Sequence, residues 1–406
     1  MASYSGFIRR SPRAGLAKFF KHHRVDIPAD SNWDSNGWSK VFVKELNTLI
    51  DELPGIKQDR VKAELDHLAS LATPKGMQAA EQLCPALCID LEGIEGVEDV
   101  LLMLAVDHPQ ILERVSVQAA LLSRYGGRSW SAFQLEDDGK PWALGDEGAR
   151  ADFVSDAIAI LELPDHRKRD ADWYTTIRTD PITGEETEIV QATIYVEGRA
   201  ESGLTFGQSS ELERSVIQRV LEVGIACNPA DRIVEICSNG GKKTRDQYAQ
   251  AFSKHFAPDS EPPVEAPRRQ VLLDGLKSRP DFQIEPADGI ERIDVTSLDF
   301  FASGGGFSRL EYKGENESIY HFLGRRFGDK SPLTAPGWIL NGATLRIVLA
   351  PSDGKRRKTL IITLRTPNVT TIPNKTETDR QFILDLLERW KLVAPPILDF
   401  DVIEAA

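Results

Sequence analysis

The feature that most constrains the fold is a change in hydrophobic period partway along the chain. Up to Leu161 the apolar residues recur at helical spacing, and from Trp173 they alternate. On the helical side, Ser11-Pro12 supplies an N-cap and first-turn pair, followed by Leu16, Phe19 and Phe20. Residues 35–53 place Phe42, Leu46, Leu49, Ile50 and Leu53 on one face, and Pro54-Gly55 ends the run. Val61, Leu65, Leu68 and Leu71 continue the pattern, and further helices are predicted over 96–106, 109–124 and 145–161. The segment "YGGRSWSAFQLEDDGKPW" is read as irregular.

Beyond the charged connector "LPDHRKRDAD", "WYTTIRTDPITGEETEIVQATIYVEG" alternates as two antiparallel strands, reversed at Asp180 to Gly184. "VIQRVLEVGIACNPADRIVEICS" reads as strand, Asn228-Pro229 turn, strand, although 211–223 fits a helix equally well. After the proline-rich "APDSEPPVEAPRRQ" come a short helix near 271–277, strands over 290–301 and 307–313, and a hairpin. That hairpin pairs "GATLRIVLA" with "TLIITLRT" across Pro351 to Gly354. A last helix, "TETDRQFILDLLERW", has Thr376 as N-cap, Asp379 in the reciprocal capping position, and Ile383, Leu386, Leu387 and Trp390 as its buried stripe.

The expected class is α+β: a helical N-terminal region, 1–165, then a larger region of antiparallel β-hairpins with packed helices, 172–406. A further division is expected at 257–270. Hairpins with helices on one face are the most economical arrangement.

A hydrophobic fraction of 41% and a charged fraction of 27% over 406 residues are those of a globular chain with ample core. No apolar run reaches membrane-span length and the N-terminus lacks an apolar signal core, so a soluble, cytoplasmic protein is expected, with no membrane partner. The four cysteines fit small buried hydrophobes of a reducing compartment better than a zinc site: Cys84 and Cys88 have ligand spacing, Cys227 and Cys237 do not. A net charge of −13, concentrated over 135–165, argues against a general nucleic-acid coat.

Three motifs carry candidate chemistry. "VEICSNGGKKTRDQYAQAF" has the outline of a phosphate loop, but the first glycine position holds Ile236, and Lys243 stands where a metal-binding hydroxyl belongs. What remains is a glycine turn into a helix, where Lys242 and Lys243 offer at most an isolated-anion site. The basic run Lys355, Arg356, Arg357 and Lys358 beside the hairpin turn is a second anion-binding candidate; as a solvated run it would guard a hydrophobic strand. It is also the weaker ground for a nucleic-acid partner. The third motif is "RPDFQIEPADG" with the later "SRLEYKGEN", in which Pro280-Asp281 precedes Glu311-Tyr312-Lys313.

Over 271–327 this resembles the PD-(D/E)xK nuclease superfamily. The resemblance implies Asp281 and Glu311 as ligands of one magnesium ion and Lys313 as the group that positions or activates water. Glu311 and Lys313 would project from one side of a strand. Two function classes therefore stay open. The first is a non-catalytic binding or assembly component, without cofactor, acting with a protein partner through residues 1–165. The alternative is a magnesium-dependent nuclease centred on Asp281, Glu311 and Lys313.

Overall fold

The structure, a computed structural model, describes residues 4–26, 40–94, 96–124, 127, 129–136, 139–164, 166–179, 186–206, 211–266, 269–314, 317–351 and 357–394, with backbone only at 40–42, 178–179, 374 and 377. The fold is α+β, and the chain divides into two compact units, 1–178 with 186–265, and 266–406 with the short segment 179–185. The Lys355 and Arg356 half of the basic run, the reversal at Asp180 to Gly184, and most of the turn at Pro351 to Gly354 lie outside the described residues.

Among the described residues the first unit opens with seven helices: α1 (Tyr4–Arg10), α2 (Arg13–His22), α3 (Lys40–Asp51), α4 (Gly55–Leu71), α5 (Pro74–Ala86), α6 (Val97–Asp107) and α7 (Pro109–Arg124). Their apolar faces meet in one core containing Phe7, Leu16, Phe19, Leu65, Leu101 and Val115. Ser11 does not cap α2 as expected. Its hydroxyl donates to the Phe7 carbonyl at the end of α1, and the residue is buried. Three of the cysteines are buried as expected, and burial pushes the Cys84 thiol up to about 11. Cys88 is exposed, because it lies just past the end of α5 in a left-handed turn.

Next come β1 (Trp130–Gln134), α8 (Glu147–Ile160), β2 (Arg169–Thr179), β3 (Glu186–Phe206), β4 (Leu212–Asn228), β5 (Ile233–Ser238), α9 (Lys242–Phe256) and β6 (Val264–Glu265). They build a six-stranded sheet in the order β2-β3-β4-β5-β1-β6. Two readings are settled here. Residues 211–223 are strand, because β4 pairs with β3 from Phe206↔Leu212 to Val190↔Cys227. The "irregular" segment contains β1, whose partner β5 lies a hundred residues on, as Phe133↔Val234. Asn228 makes the β4–β5 turn with its side chain, accepting from the Ala230 and Asp231 amides.

Helices cover both faces of this sheet. Val190, Ala192, Ile194, Val223, Ile225 and Ile236 pack against α8 and α9, around Phe153, Phe252 and Phe256. The alternate residues Ile189 and Ala226 join the helical core. Between bundle and sheet, Gln118 donates to Gln191 at 2.8 Å and the Tyr174 hydroxyl donates to the same oxygen at 3.1 Å, whereas the buried Trp130 Nε1 has no hydrogen-bond partner.

The second unit holds β7 (Ile290–Ala302), β8 (Phe307–Glu311), α10 (Ile319–Phe327), β9 (Trp338–Leu349), β10 (Thr359–Arg365), β11 (Val369–Thr370) and α11 (Glu377–Arg389). The sheet order is β11-β10-β9-β7-β8, wholly antiparallel. The "SGGG" loop joins β7 to β8, and Gly305 has φ +90°. Among the described residues helices pack one face only: Ile319, Leu323, Ile383, Leu386 and Leu387 meet Leu298, Phe300, Leu345, Ile347 and Ile362. The helix expected near 271–277 is a single 3₁₀ turn, Asp274–Leu276, while Val271 bridges to Val393 instead. Thr376 caps α11 by accepting from the Asp379 amide. The Asp379 carboxylate pairs with Lys358 instead of closing the reciprocal bond.

Candidate functional site

Two surfaces stand out. The first is the outer half of the β3–β4 hairpin. The Glu197 amide donates to the Lys168 carbonyl at the start of β2, and β5 flanks β4 only from Val223 to Asn228. Beyond those points, among the described residues, the backbones of the two strands pair only with each other, over 198–206 and 212–222. This makes an arm about 30 Å long from the rise per residue of a strand. Its root is a β-bulge between Glu197 and Ala200. There, a Cβ on Gly198 would come within 2.8 Å of the Arg219 carbonyl oxygen, so only glycine lets the strands approach.

Cross-strand partners share a face, so the pairs Phe206↔Leu212, Leu204↔Arg214 and Ser202↔Val216 set one side of the arm. Apart from Arg214 and Ser202, that side is apolar and open: Leu204 is 62% exposed, Phe206 73%, Leu212 62% and Val216 73%. The opposite side carries Glu201, Thr205, Glu213 and Ser215, with Ile217.

The second surface is the helix-free face of the second sheet. The register Ser297↔Glu311, Asp299↔Arg309, Asp299↔Gly342, Ser297↔Thr344, Thr344↔Thr363 and Gly342↔Arg365 puts these residues on one side. At its centre Asp299 is buried, with a side chain 2% exposed. Arg309 donates to it twice, Nε to Oδ1 at 2.6 Å and Nη2 to Oδ2 at 2.8 Å. Arg365 Nε lies 3.3 Å from Oδ2. The hydrogen bonds from Arg309, reinforced by both guanidinium charges, hold the Asp299 carboxyl below the ordinary carboxylate range in spite of burial.

Gly342 makes the close packing possible: a Cβ there would meet Arg365 Cγ at 2.9 Å and Asp299 Cβ at 3.2 Å. The result is a depression of about 290 Å³ lined by Arg309, Glu311, Arg365 and the hydroxyls of Ser297, Thr344 and Thr363, with Val369, Thr370 and Thr371 closing one side.

Glu311 and Lys313 are brought together as an ion pair at 3.0 Å, and Lys313 lies just past the end of β8. Asp281 is exposed in the stretch between the 3₁₀ turns Asp274–Leu276 and Pro286–Asp288, where its neighbour Phe282 packs on the Trp390 ring with centroids 4.7 Å apart. It does not line the depression that Glu311 borders. Among the described residues no group of three or more His, Cys, Asp or Glu side chains is arranged to hold a metal ion.

Of the anion-binding candidates, Lys242 pairs with Glu265, Arg357 with Glu291 at 3.0 Å, and Lys358 with Asp379, while Lys243 is exposed. The glycine turn before α9 is held from within. Arg245, buried, donates to the Gly240 carbonyl at 2.7 Å and to Ser131 of β1 at 2.8 Å. Its guanidinium thus fastens the turn to the sheet.

Sequence reasoning missed both surfaces. Leu204, Phe206, Leu212 and Val216 alternate as core residues would, and Asp299, Arg309 and Arg365 belong to three strands. A buried-looking "SLDFF" strand with an aspartate in it was the one available sign, since a charge in a core-facing run demands a partner. No helix among the described residues is long and apolar enough to cross a membrane. No protein-family profile matches the chain, and no curated protein is significantly similar to it in sequence.

Proposed function

We propose that the protein is a non-catalytic assembly component that engages a protein partner through the β3–β4 arm. The observation that carries this reading is the arm's open apolar side. An isolated two-stranded hairpin is marginal in water, and a contiguous apolar strip on one of its faces marks an interaction surface. Charges of both signs accompany the strip: Arg214 on its own side beside Ser202, and on the other side Glu213 and Glu201, the latter paired with Arg219. Mixed charge suits a protein surface better than an anionic lipid layer, which would favour a basic flank. On this reading the partner contacts the arm instead of the acidic helices of residues 1–165, which serve as the scaffold at its root.

A photo-crosslinking residue at Val216, on the apolar side, and one at Glu213, on the polar side, test this in the native host. The Val216 probe should give one dominant protein adduct in stoichiometric yield and the Glu213 probe little. Equal yields from both sides, or none from Val216, would refute the proposal.

A further inference from the structure

A buried carboxylate is satisfied by one guanidinium that donates two parallel bonds, and Asp299 has that from Arg309. Arg365 is then surplus. It reaches the same carboxylate only by its Nε at 3.3 Å, outside good hydrogen-bond geometry, and that buried Nε has no hydrogen-bond partner. Two guanidinium charges against one carboxylate leave one positive charge in the depression. The Glu311 charge at its rim is offset by Lys313. Around the surplus stand hydroxyls from three strands: Ser297, which lies 3.5 Å from Asp299 Oδ1, and Thr344 and Thr363, which share one hydrogen bond at 3.3 Å and so keep one proton between them to donate.

We propose that this depression is a binding subsite for the oxyanion group of a small ligand, a phosphate or a carboxylate, seated against Arg365 and Arg309. Asp299 orients Arg309 from below, and the absence of a side chain on Gly342 lets Arg365 lie close to the sheet. The depression of about 290 Å³ suits a small molecule, at the lower end of ligand-pocket sizes. Glu311 at the rim sets the polarity of the rest of the ligand. A hydroxyl or ammonium beside the anion is accepted there, and a second negative charge is rejected.

The full-length protein is titrated calorimetrically with inorganic phosphate and, separately, with acetate at low ionic strength. At least one should saturate in the millimolar range or below and weaken with added salt, and the tighter of the two identifies the group. Arg365→Gln should lower that affinity by about tenfold or more with an unchanged circular-dichroism spectrum, since Asp299 keeps both bonds from Arg309. Glu311→Gln should tighten binding of the same anion, an effect that a purely structural role for Glu311 would not produce. Thr363→Val, which exchanges the hydroxyl for a methyl group of the same size, should weaken it if Arg365→Gln fails to fold. Saturation by neither anion, or affinity unchanged in Arg365→Gln, or in Thr363→Val where that variant is needed, would overturn the proposal.

Discussion

Phe206→Ser separates an arm that docks from an arm that merely protrudes. Phe206 is 73% exposed, and a phenylalanine side chain offers roughly 200 Å², so about 150 Å² of it faces solvent. Covering that area is worth up to about 3–4 kcal/mol at 25 cal/mol per Å². Association returns only part of such a sum, and a central aromatic contact contributes about 2 kcal/mol or more. The substitution should therefore weaken the partner captured at Val216 by about 30-fold. Folding stability should move by no more than about 0.5 kcal/mol, because an exposed side chain has little to lose. Affinity is read by biolayer interferometry and stability by urea denaturation. Thr205→Ala, on the polar side, should alter neither. An unchanged affinity for Phe206→Ser would refute the docking argument. A large loss of stability would refute the description of the arm as free of the core.

The remaining predictions concern the second unit. Its stability should fall in acid: the depressed Asp299 carboxyl contributes fully above the ordinary carboxylate pKa, and the contribution is lost as pH drops through its lower folded value. Asp299→Asn should flatten that acid limb and cost about 2 kcal/mol at neutral pH, below the usual figure for a broken buried pair because both arginines are partly exposed. A pH series of urea melts that is parallel for both proteins would contradict this. Gly342→Ala should cost about 1–2 kcal/mol by displacing Arg365, and should weaken anion binding in parallel, checked by thermal melting and calorimetry. Limited proteolysis should cut first around 257–270 and release a C-terminal fragment that keeps its circular-dichroism spectrum. First cleavage inside Glu45 to Leu71 would count against the division proposed there.

Much of the secondary structure was legible because its causes are local. Thr376 caps α11 through an amide three residues on, Asn228 turns the chain through amides two and three residues on, and the β9–β10 hairpin follows from two alternating runs either side of Pro351. A helix or a hairpin is decided within a dozen residues, so period and turn chemistry suffice. Tertiary structure decided what period could not. Residues 211–223 fit helix and strand alike until β3 supplied a partner, and β1 is too short to show its period before it pairs with β5. The arm's apolar residues have the alternation of a core strand; they are exposed only because β2 and β5 stop short of them. Asp299, Arg309 and Arg365 meet through register alone. A two-residue side-chain period tells which residues share a face within one strand, and strand pairing over long sequence separations decides which faces coincide.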